Sequence, residues 1–269
     1  MNRPPRTPWP ARRPPPEDAA RPRPPRNDDE IRLFGLNAVR AAFAARPGDV
    51  RKLWLLAERM GDLREVMAWC VANRRGYTIV DADELAKVAG SQHHEGVVLA
   101  MRRPEELGLS VFLRDLPAGP CQLLWLDGVG NPHNFGAILR SAAHFGVAAV
   151  LLPKDSPLAL SGAAVRVAEG GAEAVPLVRL GRSDNATQQL QGLGFQLMAT
   201  VVRGGDDLYA LPLPPRCVWV LGAEGEGLDL ALAAACTRKV GIPGSGRVES
   251  LNVASATTVL LAEWCRQRR

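Results

Sequence analysis

Five short apolar runs in the second half of this chain, at 122–126, 148–152, 196–201, 217–221 and 239–242, alternate with helical patterns near 135–145, 188–193, 229–235 and 252–267. Such runs, apolar almost throughout, belong to strands buried on both faces. Strand and helix alternating in this way predict an α/β unit built on a mostly parallel sheet with helices on both sides. The last helical pattern places Val253, Ala256, Leu260 and Trp264 on one face. It ends on Arg266, Arg268 and Arg269, where positive charge suits the helix dipole.

Three of these runs give way to glycine and polar residues. After 122–126 comes Asn131-Pro132-His133-Asn134-Phe135-Gly136, reaching Arg140. After 217–221 comes Gly222-Ala223-Glu224-Gly225-Glu226-Gly227, and Ile242-Pro243 leads to Ser250-Leu251-Asn252. Ligands of α/β sheets collect outside the carboxyl ends of the strands, so three such exits predict one pocket assembled from separate parts of the sequence. The glycines do not have G-x-G-x-x-G spacing and there is no G-x-x-x-x-G-K-[ST] phosphate loop, which argues against an ordinary nucleotide-binding protein.

The first half is organised differently. Residues 1–30 hold ten prolines and seven arginines without hydrophobic periodicity, and are expected to form a disordered arm, either a loose RNA-binding arm or a plain leader. Residues 31–102 read as a small α/β unit. Leu36, Val39 and Phe43 share a helical face, 50–56 and 77–80 read as strands, and Leu63, Val66, Met67, Cys70 and Val71 form a helical stripe. A helix capped by Asp83 and a closing strand at 97–101 complete it. Residues 103–119 read as a linker with a short ordered piece around 111–113, and 120–269 as the second domain.

Composition narrows the function. No apolar run reaches the ~20 residues needed to span a bilayer, and no apolar leader opens the chain, so a cytoplasmic protein with no membrane partner is expected. Five irregularly spaced cysteines form no C-x-x-C pair, which speaks against a disulfide framework or a zinc site. His93, His94, His133 and His144 are assigned to structure or RNA contact, and no metal is required. The net charge of +5 favours a polyanionic partner.

Taken together, the three segments resemble the SpoU, or TrmH-like, family of RNA ribose 2′-O-methyltransferases of the SPOUT class. The match rests on Asn134, Gly136 and Arg140, on Gly222, Glu224, Gly225 and Gly227, and on Ile242, Pro243, Ser250, Leu251 and Asn252. The first unit, from Phe34-Gly35 to His94-Glu95-Gly96-Val97, resembles the family's L30e-like substrate-binding domain, and details of the motifs are similar to the YfiF-like branch. Asn131 and Glu95 stand where the family usually has aspartate and glutamine.

The resemblance implies a C-terminal SPOUT domain with a trefoil knot, a homodimer, S-adenosylmethionine as cofactor, and structured tRNA or rRNA as substrate. It implies Arg140, Asn134, Glu224, Ser250 and Asn252 as the catalytic set, with Arg140 at the RNA phosphate. It also implies Gly222, Ile242 and Leu251 against the cofactor, with Thr200 nearby. Glu224 could orient cofactor or substrate, balance the sulfonium charge, or cap the turn; Glu169 could pass near the knot or lie in a solvated loop. A competing reading is an RNA-binding or ribosome-assembly factor that keeps the fold without turnover.

Overall fold

The computed structural model describes residues 29–181, 185–223 and 227–269. The expected arm lies outside these residues except for its last two. Asp29 accepts from the Arg103 amide through its carbonyl (2.7 Å), and Glu30 is the first residue of a strand.

The N-terminal unit runs β1 (Glu30–Phe34), α1 (Leu36–Ala45), β2 (Val50–Leu55), α2 (Arg64–Ala72), β3 (Gly76–Ile79), α3 (Ala82–Ala89) and β4 (Val97–Arg102). Its sheet has the order β1-β4-β2-β3, antiparallel except for the β2/β3 pair. Two expectations change here. Asp81, not Asp83, caps α3, its side chain accepting from the Glu84 amide at 2.8 Å. Val71 is 65% exposed: α2 packs on β2, the edge strand β3 and Phe43 of α1, and Val71 lies off these contacts.

The second unit follows with β5 (Leu107–Gly108), α4 (Leu109–Arg114), β6 (Cys121–Leu126), α5 (Pro132–His144), β7 (Ala149–Leu152), α6 (Gly162–Ala168), α7 (Gly171–Ala174) and β8 (Leu177–Arg179). It continues with α8 (Ala186–Gly192), β9 (Gln196–Thr200), β10 (Asp206–Asp207), β11 (Arg216–Leu221), α9 (Leu230–Ala235), β12 (Arg238–Gly241) and α10 (Val253–Arg266). The eight strands form one sheet in the order β10-β12-β9-β11-β6-β7-β8-β5, and every pairing is parallel. Residues 107–114, expected within a linker, add the edge strand β5 and bury Leu109 and Phe112.

Both faces of the sheet are covered. Every residue of β6 is buried; Leu124 and Leu126 join the core under α5 and α10, while Leu123 and Trp125 join the opposite core. α5 lies against α6 because Gly136 has no side chain; a Cβ there would sit 2.4 Å from the Ala164 carbonyl oxygen. Among the described residues no helix is long and apolar enough to cross a membrane.

The two units are docked. Arg46, after α1, grips Glu173 on α7 with two hydrogen bonds (2.6 and 3.0 Å), both side chains being largely buried. Glu95 accepts from the Leu36 amide and pairs with Arg166 of α6 (3.4 Å). Glu169 accepts from Asn37 at 2.7 Å. Glu95 and Glu169 are therefore interface residues, and the negative charge of Glu95 is turned towards an arginine of the second unit. We expect Arg46→Ala to cost on the order of 2 kcal/mol, the scale of a charge-assisted hydrogen bond with a buried partner. In denaturant melts, the N-terminal unit should then begin to unfold before the parallel sheet.

The cysteines behave as small apolar residues. All five are free, and Cys70, Cys121 and Cys217 are buried. Burial pushes the Cys236 thiol up to about 11, and its Sγ donates to the Leu232 carbonyl. At pH 8 only about one such thiol in a thousand is a thiolate, so its reaction with iodoacetamide in the native protein should be far slower than that of a free cysteine. Mass spectrometry of the alkylated protein reads this directly.

Candidate active site

Thr200, Gly222 and Ile242 leave the carboxyl ends of three adjacent strands, β9, β11 and β12. Thr200 pairs in register with Val240, and its hydroxyl donates to the Val220 carbonyl (3.0 Å), tying β9 to β11 at the rim. Gly222 is followed by a turn closed by mutual backbone hydrogen bonds between Ala223 and Gly227 (2.9 and 3.0 Å). A Cβ on Gly222 would lie 2.4 Å from the Gly227 carbonyl group, so only glycine lets the turn fold back on itself. Glu224, expected in this turn, lies outside the described residues.

α5 begins beside this turn. Asn131 caps it by accepting from the His133 amide at 2.8 Å, the task an aspartate would perform, and Pro132 takes the first helical position. One turn further, Asn134 Oδ1 accepts from Asn252 Nδ2 at 3.0 Å. Asn252 itself caps α10, accepting from the Ala254 amide at 2.9 Å. The first and third segments, 118 residues apart, thus meet through two cap-region asparagines. Ser141 and Thr258 share a further hydrogen bond (2.7 Å) along the α5/α10 contact.

Between them lies a cleft of about 290 Å³, bordered by Gly128, Gly130, Asn134, Ala223 and Val253. Arg140 is exposed on α5, with no hydrogen bond or ion pair to a described residue. Ser250 and Leu251 are exposed on the loop joining β12 to α10, Leu251 at 48%, while Ile242 at the start of that loop packs on the core. The structure therefore brings Asn134, Asn252, Gly222 and Thr200 to one edge of the sheet, with Arg140 on the helix that leaves it. Among the described residues no cluster of His, Cys, Asp or Glu could hold a metal.

Asp127 escaped the sequence reading. Its amide donates to the Leu221 carbonyl (2.8 Å) and its Oδ2 accepts from the Asp229 amide (2.9 Å), so it fastens Asp229 to the end of β6. The available signal was its position as the first polar residue after the apolar run 123–126.

Fold and site together define an α/β protein that builds a pocket at the carboxyl ends of a parallel sheet, with a separate N-terminal unit docked on it. The chain belongs to the SpoU rRNA Methylase family, whose profile matches residues 122–262, and the profile for RNA 2′-O ribose methyltransferase substrate binding matches residues 32–107. It is 37% identical to the uncharacterized tRNA/rRNA methyltransferase YfiF of Escherichia coli O157:H7, over 90% of this chain and 69% of that one. It is 36% identical to the 23S rRNA (guanosine-2′-O-)-methyltransferase RlmB of Bordetella pertussis, over 88% of this chain and 97% of that one. Among solved structures, the AdoMet-bound rRNA methyltransferase from Sinorhizobium meliloti superposes with a TM-score of 0.73 at 26% identity, over 88% of this chain and 87% of that chain.

Proposed function

We propose that the protein transfers a methyl group from S-adenosylmethionine to a ribose 2′-hydroxyl of structured RNA, in tRNA or rRNA. In this reading it works in the cytoplasm as a homodimer, with the trefoil knot of its family around the cofactor. The observation that carries the proposal is the Asn134–Asn252 hydrogen bond, which joins the first and third segments at the strand ends of a SpoU family member. The relatives named as ribose methyltransferases and the AdoMet-bound neighbour support it.

The residues at hand fit the cofactor. The backbone that turns back at Gly222 and the open apolar face of Leu251 suit a flat, partly apolar ligand that is read through backbone groups. Gly222, Ile242 and Leu251 would hold it, with Thr200 fixing the rim. S-adenosylmethionine, when bound, supplies an electrophilic methyl carbon on a sulfonium. What the chain supplies is mostly placement, because a nucleophilic oxygen held in line needs little further help.

Arg140 carries an exposed guanidinium, a planar group with five hydrogen-bond donors. Its role is to anchor an RNA phosphate and to favour negative charge on the 2′-oxygen, whose proton passes to solvent water. Asn134, Asn252 and Ser250 hold the ribose beside it. Calorimetric titration with S-adenosylmethionine, followed by mapping of 2′-O-methylation in RNA from cells lacking the protein, tests the reading. Saturable binding and a missing methyl group are the expected results. A folded protein that binds RNA but not the cofactor would instead establish an RNA-binding factor.

A further inference from the structure

Gly130, on the wall of the cleft beside Asn134, also lines a second, larger hollow of about 620 Å³. Gly130 and Pro132 of the first segment form one wall, and the 157–161 loop after β7 forms another. The third is the strap at 103–106, which carries the chain from one unit to the next.

This strap is fixed. Arg103 donates to the Leu160 carbonyl at 2.8 Å, and Glu106 takes Arg179 in a two-point grip (2.7 and 2.8 Å). Arg179 also donates to the carbonyls of Pro153, Ser156 and Leu158, so one cation sets both the loop and the strap. The hollow is therefore a built space, within the range of about 300–1,000 Å³ that small-molecule sites occupy.

Its charged lining is mostly acidic: Arg103 is the one cation on it and is turned to the Leu160 carbonyl. Asp29, Glu105 and Glu106 all border it, and Glu106 alone of the three is neutralised by an arginine. Glu105 is exposed and makes no hydrogen bond or ion pair with a described residue. Pro104, Pro132 and Pro157 present apolar surface nearby. Apolar walls beside an open carboxylate suit a nucleobase whose edge donates hydrogen bonds. Guanine is the one standard base with two adjacent parallel N–H donors, N1–H and N2–H, on a single edge, and a carboxylate can accept both.

We propose that this hollow is the subsite for the base of the acceptor nucleotide, and that Glu105 selects guanine there. The inference rests on the ribose-methylating reading above: the sugar of the same nucleotide lies in the adjoining cleft by Asn134. It adds a residue outside the three motif segments, and makes the strap between the units part of the substrate site.

Two variants test it. Ala159 is exposed on the wall of the hollow, so Ala159→Trp fills the space without touching the core. Glu105→Gln keeps the shape and removes the second acceptor. Each is compared with wild type for cofactor binding by calorimetry, for melting, and for methylation of total RNA from cells lacking the protein. Both should bind S-adenosylmethionine and melt like wild type, yet lose about tenfold or more in kcat/KM for RNA, the loss falling mainly on KM for Glu105→Gln. The mapped acceptor should be a guanosine.

Methylation by either variant within about twofold of wild type would overturn the subsite. An acceptor other than guanosine would overturn the role of Glu105. Wild-type protein that methylates no RNA would sink the ribose-methylating reading itself, and the subsite with it.

Discussion

Arg140→Ala is expected to lower kcat/KM for RNA methylation by about 100-fold or more, the scale of removing one preorganised charge from a reacting centre. Binding of S-adenosylmethionine should be unchanged. The argument is positional. Arg140 lies six residues beyond Asn134 on α5, about 9 Å along the helix, and is exposed with no partner among the described residues. Its backbone is packed against α7, where a Cβ on Gly171 would come within 3.0 Å of the Arg140 Cα. A rigid base carrying an unengaged guanidinium is what phosphate anchoring calls for. Arg140→Lys should recover only part of the loss, because an ammonium lacks the planar two-point grip. Full activity in Arg140→Ala would remove this residue from the reaction.

Gly136→Ala is expected to destabilise the protein by about 1–3 kcal/mol, the usual range for overpacking. In an open helix the same exchange gains roughly 1 kcal/mol, so the sign itself is the test. The new Cβ would meet the Ala164 carbonyl oxygen at 2.4 Å and the Val167 Cβ at 2.7 Å, forcing α5 away from α6. Urea titration should show a lower midpoint with an unchanged slope. A stabilised variant would mean that the two helices can separate freely. The motif glycine thus serves helix packing, and through it the placement of Asn134 and Arg140.

Much of this was legible in the sequence where burial is continuous. The five long strands of the parallel sheet announced themselves as apolar runs, and their observed bounds fall within one residue of those runs. The short strands β5, β8 and β10 did not, since two or three residues carry no period. Helix α6, Gly-Ala-Ala-Val-Arg-Val-Ala, is built of small residues whose helical face has little contrast. Asp81 and Asp83 are both plausible caps by type, and only the backbone decides between them. The meeting of Asn134 with Asn252 followed from the family motifs. The partners of Glu95 and Glu169 did not, because an ion pair between units depends on how two surfaces dock, which no local pattern encodes.

An all-parallel sheet also has a consequence for the birth of the molecule. β6 pairs along its whole length with β11, and Arg216 follows its partner Cys121 by 95 residues. At a synthesis rate of roughly 5–20 residues per second, β6 leaves the ribosome on the order of ten seconds before its neighbour exists. During that interval a strand that ends up entirely buried has one open edge. Everything from the N-terminal unit to β9 is made before β11, but in the finished sheet none of it pairs with that edge, so cellular yield should depend on how fast β11 follows.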